Sequence, residues 1–260
     1  MQICLVTGAS SGIGHELAKL FARDGFDMVL VARDAARLAV IADQLNHETG
    51  VTVTVLVKDL SDADAPDELV RALHDRGIEP DVLVNNAGFD VYGLFRDTDA
   101  TQESQMMQVN IVSLTRLTKL LLPGMLERGH GRILNLGSTG SFAPGPFNAV
   151  YCASKAYVLS FSEALAQELR GSGVTVTTLC PGATKTQFAQ RTGMTDTRLF
   201  QGRVSDAAQV ARAGYRALMQ GRTRVIVGLA NRLMIFSLRF APRDRVARIS
   251  RLLLSRIPGG

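Results

Sequence analysis

The 260-residue sequence has no tryptophan, three cysteines and four histidines, and it has no apolar run long enough to cross a bilayer. Cys4, Cys152 and Cys180 are odd in number and lack CxxC spacing, so we expect reduced thiols and no disulfide framework. The histidines form no closely spaced pair, so we expect no metal site. The chain opens on apolar residues with no basic leader, and we therefore predict a cytoplasmic protein without a secretory signal.

Charge is low overall and unevenly spread. Hydrophobic residues make up 46% and charged residues 20% of the chain, which is a globular composition, and the length suits one core. From residue 222 to the end there are nine arginines and one acid, Asp244, which sum to +8. Because the whole chain is +5, the preceding part carries −3. This mildly acidic body argues against nucleic-acid binding by the whole fold.

Short apolar segments alternate with helical patterns along the chain, without a linker or repeat. The predicted strands cover residues 2–6, 28–31, 51–57, 82–84, 132–136, 174–179 and 224–227. The predicted helices cover residues 12–23, 34–46, 62–76, 101–127, 150–169 and 206–219. Strands that are apolar throughout and joined by helices predict a doubly wound α/β fold, with a parallel sheet of about seven strands and helices on both faces.

A glycine-rich turn joins the first predicted strand to the first helix. It reads Thr7-Gly8-Ala9-Ser10-Ser11-Gly12-Ile13-Gly14. Glycines permit a tight turn, and a helix N-terminus offers free N–H groups to a pyrophosphate. The spacing differs from GxGxxG, and a sharp connection without a ligand is the alternative. We predict nucleotide binding here.

The end of the second strand predicts which dinucleotide binds. An acid there would hold the ribose 2′-hydroxyl of NAD, whereas an arginine accommodates the 2′-phosphate of NADP. The chain reads Ala32-Arg33-Asp34, so Arg33 favours NADP, with Ser10 or Ser11 as further phosphate ligands. Asp34 is either a ribose ligand or the N-cap of the next helix.

Two later strand ends lie where adenine and ribose would pass. Asp59-Leu60 follows the third strand, and Asn85-Asn86-Ala87-Gly88 follows the fourth. Ligands of open parallel sheets bind beyond the carboxyl ends of the strands. The second segment is also ordinary turn chemistry, and we expect it to serve both purposes.

Tyr151 and Lys155 are one helical turn apart in a predicted helix, so their side chains share a face. A cation beside a phenol stabilises the phenolate and moves the phenol pKa toward neutrality. Tyr151 is therefore a candidate general acid/base, although this spacing alone is common.

Taken in order, these motifs resemble the short-chain dehydrogenase/reductase family in its compact single-domain form. The resemblance covers about residues 2–228, and its arginine at the second strand is similar to NADP-preferring members. The residues that carry it are Thr7, Gly8, Gly12, Ile13, Gly14, Asn85–Gly88, Asn110, Ser138, Tyr151, Lys155 and Pro181-Gly182. It implies residues 1–228 as a Rossmann-like catalytic domain. Residues 229–260, which we assign as a basic, partly apolar helical extension of the same domain, depart from the short ending common in the family's tetramers.

The resemblance also implies a role for each catalytic candidate. Ser138 would bind the substrate carbonyl, and Tyr151 would exchange its proton. Lys155 would lower the tyrosine pKa and hold the nicotinamide ribose, while Asn110 would interrupt its helix and position a water for proton relay. The loop with Pro181, Gly182, Thr184 and Thr186 would hold the carboxamide. Homodimers or homotetramers through residues 102–127 and 150–169 are implied as well.

The predicted activity is NADP-dependent hydride transfer between NADP(H) and a ketone or secondary alcohol of an apolar substrate. NAD-dependent alcohol oxidation, or a non-catalytic dinucleotide sensor on the same scaffold, remains an alternative. Residues 183–204 have the length of an active-site flap. An apolar pocket is suggested by Phe89, Tyr92, Phe142, Pro144, Phe147 and Phe188, which could equally be core or dimer contacts.

The tail after residue 229 suggests a further partner. Residues 233–236 are apolar, and residues 244–257 form an amphipathic helical pattern with arginines on one side. Such a helix could lie on an anionic membrane surface. Packing on its own domain or on a partner subunit is the alternative that we favour.

Overall fold

The computed structural model describes residues 2–186, 192–202 and 204–257. Its strands are β1 (Ile3–Thr7), β2 (Asp27–Ala32), β3 (Val53–Val57), β4 (Val82–Asn85), β5 (Gly131–Leu136), β6 (Val174–Cys180), β7 (Thr184–Lys185), β8 (Ser205–Asp206) and β9 (Arg224–Ile226). Within the described residues, seven parallel strands form one sheet in the order β3-β2-β1-β4-β5-β6-β9, and β7 pairs with β8. The predicted doubly wound sheet is confirmed.

Helices connect these strands and cover both faces of the sheet. They are α1 (Gly12–Arg23), α2 (Ala35–Thr49), α3 (Ala65–His74), α4 (Ala100–Met107), α5 (Leu114–Glu127), α6 (Ala149–Glu168), α7 (Arg198–Gln201), α8 (Ala207–Met219), α9 (Leu229–Ser237) and α10 (Arg243–Leu254). Side chains alternate between the faces of a strand. Cys4 and Val6 of β1 therefore enter one core cluster, whereas Leu5 enters the other.

Most predicted boundaries lie within three residues of the observed ones, and the differences have local causes. Helix α2 extends beyond the predicted Asn46 to Thr49, because Gly50 provides a left-handed cap at φ 73°. The predicted start of α3 at Asp62 was wrong. Residues 62–64 form turns, and Pro66 sits in the first helical turn, where a proline needs no N–H partner.

The long helix predicted over residues 101–127 is interrupted. Residues Gln108–Ser113 form a π-helical turn between α4 and α5, and Asn110 is fully buried within it. Local changes of helical period often mark functional sites. The interruption that the family resemblance implied at Asn110 is therefore present.

The C-terminal extension forms two helices that contact the body. The Tyr92 hydroxyl donates to the Leu254 carbonyl, and the Ile257 N–H donates 3.1 Å to the Asp196 carbonyl. Helix α10 ends at Leu254, short of the predicted residue 257. No helix among the described residues has the length and apolarity needed to span a membrane.

Candidate active site

A cavity of about 1170 Å³ lies beyond the carboxyl ends of the strands. The order in which successive strands join the sheet reverses between β1 and β4: β2 and β3 lie on one side, while β5 and β6 lie on the other. Ligands of doubly wound folds bind at this switch point, because the connections diverge there and leave a crevice. The cavity is thus in the position of a dinucleotide site.

Most of the residues proposed from sequence line this cavity. They are Gly8, Ser10, Ser11, Gly12, Ile13, Arg33, Asp59, Leu60, Asn86, Ala87, Gly88, Ser138, Tyr151, Lys155, Pro181, Gly182, Thr184 and Thr186. Gly14 and Asn110 lie behind the cavity wall. Both are buried, and neither lines the cavity.

The glycine turn is fastened to the end of β4 by Thr7 and Asn86. Asn86 Nδ2 donates to the carbonyl oxygens of Thr7 at 2.9 Å and of Gly8 at 3.1 Å, and the Asn86 N–H donates to Thr7 Oγ1 at 3.1 Å. A Cβ on Gly8 would lie 2.7 Å from Asn86 Nδ2, so only glycine fits at that close approach. Asn86 is thus a structural clamp as well as a cavity residue.

The N-terminus of α1 has the features of a pyrophosphate site. Its N-cap Ser11 forms no side-chain capping bond, so the first N–H groups of the helix keep their donors for a ligand. Gly12 has φ 58°, and the methyl group of Thr186 would lie 3.2 Å from a Cβ there. The loop after β6 therefore closes over the turn after β1, and the residues present fit a dinucleotide phosphate.

Arg33 and its surroundings lie at the adenosine end of the cavity. The Arg33 side chain is 67% exposed, and its Nη1 is 3.4 Å from Asp59 Oδ2. Burial opposes ionisation of Asp59, but hydrogen bonds from Ser61 and the Arg33 charge lower the pKa of this carboxyl. Asp34 caps α2 by accepting from the Arg37 N–H at 3.0 Å, which supports the N-cap interpretation.

Tyr151 and Ser138 meet at the other end of the cavity. Ser138 Oγ accepts from the Gly140 N–H at 3.0 Å, which fixes its position at the end of β5. Burial raises the pKa of the Tyr151 phenol above its usual value, the Asp90 and Cys152 charges raise it further, and the hydrogen bond with Ser138 lowers it. The expected shift toward neutrality is not observed, because burial outweighs the favourable contacts.

Lys155 lies beside the Tyr151 ring in the wall of the cavity. Its Nζ is 5.7 Å from the ring centre and donates 2.9 Å to the Leu136 carbonyl. Burial lowers the pKa of this ammonium to about 8, against the opposing effects of Asp90 and Cys180. Asn110 Nδ2 donates to the Phe89 carbonyl at 3.0 Å and to Ser154 Oγ at 3.1 Å, so that amide braces the loop after β4.

The substrate half of the cavity is mainly apolar and includes residues from the C-terminal extension. Its wall contains Phe89, Pro144, Met194, Leu199, Phe200, Met234, Leu238, Val246, Ile249, Leu253 and Leu254. The predicted flap thus contributes Met194, Leu199 and Phe200. Among the proposed pocket aromatics, Tyr92 and Phe147 contact each other, Phe142 lies under Arg224, and Phe188 is outside the described residues.

Several polar cavity residues were missed by sequence reasoning, among them Arg37, Lys58, Asp90 and Asn148. Arg37 Nε donates to the Ser10 carbonyl, which fixes a second cation at the adenosine end. The position of Arg37 in the first turn of α2 was the sequence signal that could have identified it. Asp90 lies two residues after the Asn85–Gly88 motif and Asn148 lies three residues before Tyr151, and nothing local to either one marked it.

The crevice at the sheet reversal holds an uncapped helix N-terminus at one end and the Tyr151–Lys155 pair at the other. This arrangement is that of a dinucleotide-binding oxidoreductase of the α/β class. The sequence model described as short chain dehydrogenase matches residues 2–197. The chain belongs to the short-chain dehydrogenase/reductase family.

Its relatives include reductases and alcohol dehydrogenases. The ketoacyl reductase HetN of Nostoc sp. is 34% identical over 227 residues, which cover 86% of this chain and 77% of HetN. A short-chain dehydrogenase from Sphingobium yanoikuyae, solved with NADPH, is 34% identical with a TM-score of 0.82, covering 91% of this chain and 92% of that chain. The bulky-bulky ketone specific alcohol dehydrogenase of Comamonas testosteroni is 32% identical with a TM-score of 0.78 and 92% coverage of both chains.

Proposed function

We propose that the protein is an NADP-dependent oxidoreductase that interconverts a ketone and a secondary alcohol on an apolar substrate. The observation that carries this proposal is the Tyr151–Ser138 hydrogen bond, which lies in the same cavity as the uncapped N-terminus of α1. One end of the cavity thus suits a phosphate, and the other suits proton exchange with a carbonyl oxygen.

NADP is the preferred cofactor in this proposal. Arg33 and Arg37 supply two cations beside Ser10 at the adenosine end, where a ribose 2′-phosphate would need them. The NADPH complex of the Sphingobium relative supports the same choice. The bound nicotinamide would supply or accept the hydride. Lys155 and the loop of Pro181, Gly182, Thr184 and Thr186 would hold its ribose and carboxamide.

Tyr151 acts as the general acid/base. Its raised pKa keeps the phenol protonated at neutral pH, which suits proton donation to a carbonyl oxygen during reduction. Ser138 Oγ already accepts from Gly140, so its own hydrogen, which bonds Tyr151 in this structure, would orient that oxygen once substrate binds. Lys155 and Asn110 extend the proton path away from the tyrosine, as the family resemblance implies.

An apolar substrate fits the cavity wall, because Met194, Phe200, Met234, Leu238 and Leu253 offer hydrocarbon surface. A relative specific for ketones with two bulky groups supports a large substrate. Residues 1–228 would form the catalytic domain, and residues 229–260 would complete its substrate wall.

We expect the enzyme to be a cytoplasmic homodimer or homotetramer whose C-terminal extension packs on protein, with peripheral membrane contact as the alternative. Val112 and Tyr157 are exposed apolar residues on the elements that the resemblance implies as the subunit interface. The membrane contact would use the exposed apolar and basic surface of α9 and α10. Light scattering of the purified chain would measure the oligomeric state.

Turnover tests the proposed function directly. NADPH oxidation should be measured with a panel of bulky aryl and alkyl ketones, and the reverse reaction with the matching alcohols and NADP. Activity with at least one ketone, lost in Tyr151→Phe, is the expected result. Activity that persists unchanged in that variant would refute the mechanism.

A further inference from the structure

Two buried polar residues in the cavity have no role in the proposed proton transfer. Asp90 lies in the loop after β4, and Asn148 immediately precedes α6. They are 7% and 3% exposed, and both line the cavity. Asn148 Nδ2 donates 2.7 Å to Asp90 Oδ2, so the side chains form a pair.

Each residue of this pair retains an acceptor oxygen without a hydrogen bond of acceptable geometry to any described residue, although the Val91 N–H lies near the Asp90 carboxyl. Asp90 Oδ1 and Asn148 Oδ1 are buried, and neither has a geometrically acceptable hydrogen bond among the described residues. Asn148 Nδ2 has a second contact, 3.4 Å from Met194 Sδ on the flap. Unsatisfied buried acceptors are costly, so those in a cavity wall point to a ligand that supplies the missing donor.

Contacts between the two loops hold the pair together, and the residue before Asn148 has a strained backbone conformation. Phe147, directly before Asn148, has φ 70° and is the one non-glycine residue with positive φ in the described part of the chain. Its carbonyl accepts from the Gly93 N–H at 2.8 Å, and its ring lies 6.0 Å from that of Tyr92. Strain of this kind persists where the surroundings enforce a functional geometry.

The pair adjoins the reacting groups. Asn148 is three residues before Tyr151 at the start of the same helix. Asp90 is close enough that its charge raises the pKa of both Tyr151 and Lys155. A group that contacts the pair would therefore lie in the same part of the cavity as a carbonyl held by Ser138 and Tyr151.

We propose that Asp90 and Asn148 bind a hydroxyl group of the substrate, carried on the α- or the β-carbon of its reacting carbonyl. This inference rests on the proposed function and narrows its substrate class to hydroxy ketones and their diol products. The two free oxygens are acceptors, which requires a donor. A neutral donor fits better than a cation, because the Lys155 ammonium already acts on Asp90.

The ionisation of Asp90 makes the recognition pH-dependent. Burial raises the pKa of Asp90 to about 7, and the Val91 N–H, Lys155 and Asn148 oppose that rise. The Tyr151, Cys152 and Tyr92 side chains also face this carboxyl. Below pH 7 the carboxyl gains a proton and loses acceptor strength, so the KM for a hydroxy ketone should rise while that of a plain ketone changes less.

Matched ketone pairs test the proposal. Benzoin and deoxybenzoin differ by one hydroxyl on the carbon next to the carbonyl, and benzylacetone and its benzylic alcohol differ at the next carbon. The wild type should prefer the hydroxylated member of at least one pair by about tenfold or more in kcat/KM. In Asp90→Asn this ratio should fall toward one, whereas the exposed control Asp97→Asn should keep it.

The outcomes separate this proposal from the proposed function. Equal kcat/KM for both members of both pairs, or an unchanged preference in Asp90→Asn, would overturn the hydroxyl site while ketone reduction stands. If no ketone turns over, the proposed function fails. The hydroxyl site is then tested by calorimetry of benzoin and deoxybenzoin with the NADP-loaded protein. Equal affinities for the two compounds would overturn it. Asn148→Ser and the wild-type pH profile provide the same tests if Asp90→Asn does not fold.

Discussion

Lys155 Nζ lies 5.7 Å from the centre of the Tyr151 ring and donates a 2.9 Å hydrogen bond to the Leu136 carbonyl. The lysine is thus held between the tyrosine and the end of β5. Burial has opposite effects on the two groups, since it raises the pKa of the phenol and lowers that of the ammonium. In both cases burial disfavours the charged form.

The contribution of Lys155 to the free energy of unfolding should become more favourable as the pH rises from about 8 to 10.5. Its pKa is lowered from 10.5 to about 8, so between these values the folded lysine is neutral while the unfolded one still carries a proton. Below pH 8 the cost of burying the charge is fully present. Relative to Lys155→Met, the wild type should gain about 3 kcal/mol of unfolding free energy across this window, measured by urea titration.

The matched control is Lys119→Met, an exposed lysine on α5. The free energy of unfolding of this variant should change with pH as that of the wild type does. Parallel stability curves for wild type and Lys155→Met would show that the lysine is not buried as described. The same Lys155→Met variant should bind NADPH more weakly and turn over more slowly, because we assign the lysine to the cofactor ribose as well.

Tyr151→Phe should lower kcat by about a hundredfold to ten-thousandfold, because the proton donor is lost while the ring is kept. NADPH affinity should change little, as followed by fluorescence titration. Tyr157→Phe is the control on the same helix, since its exposed hydroxyl meets Thr115 Oγ1 at 3.0 Å, away from the cavity. A similar loss of kcat in both variants would contradict the assignment.

The motifs found in sequence were those with local signals. The glycine turn, the strand-end residues and the Tyr–Lys spacing each need only a few neighbouring residues, and the structure brings most of them to one cavity. Asp90 and Asn148 are 58 residues apart, and their pairing depends on the meeting of two loops. The sign of the Tyr151 shift was also missed, because burial is a property of the whole fold.

Arg33→Ala should weaken NADPH binding by about tenfold while leaving NADH binding nearly unchanged. A guanidinium can form charge-assisted hydrogen bonds with a 2′-phosphate, and NADH lacks that group. Affinities for both cofactors, measured by titration, give the selectivity ratio. Arg23→Ala, at the exposed end of α1, should keep the wild-type ratio. Equal weakening of NADPH and NADH in Arg33→Ala would instead favour the NAD-dependent alternative.

Helix α9 and the turn after it present an apolar stripe that supports membrane contact. Leu229, Leu233, Phe236 and Phe240 are spaced by four, three and four residues, and their exposure ranges from 58% to 76%. Arg232, Arg239 and Arg243 are exposed along the same segment, so apolar burial and attraction to anionic lipids would act together. Such contact would bring a lipophilic substrate close to Met234 and Leu238, which line the cavity from the same helix and the turn after it.

If the extension contacts a membrane, the wild type should co-sediment with phosphatidylserine-containing vesicles at low salt, and less so at high salt because the attraction is screened. The double variant Phe236→Asp/Phe240→Asp should lose most of this binding, since two carboxylates would replace apolar groups at the surface. Phe95→Asp is the matched control, because Phe95 is 69% exposed but lies outside the extension. Wild-type protein that stays in the supernatant at low salt would contradict membrane contact and favour packing of the stripe on another subunit.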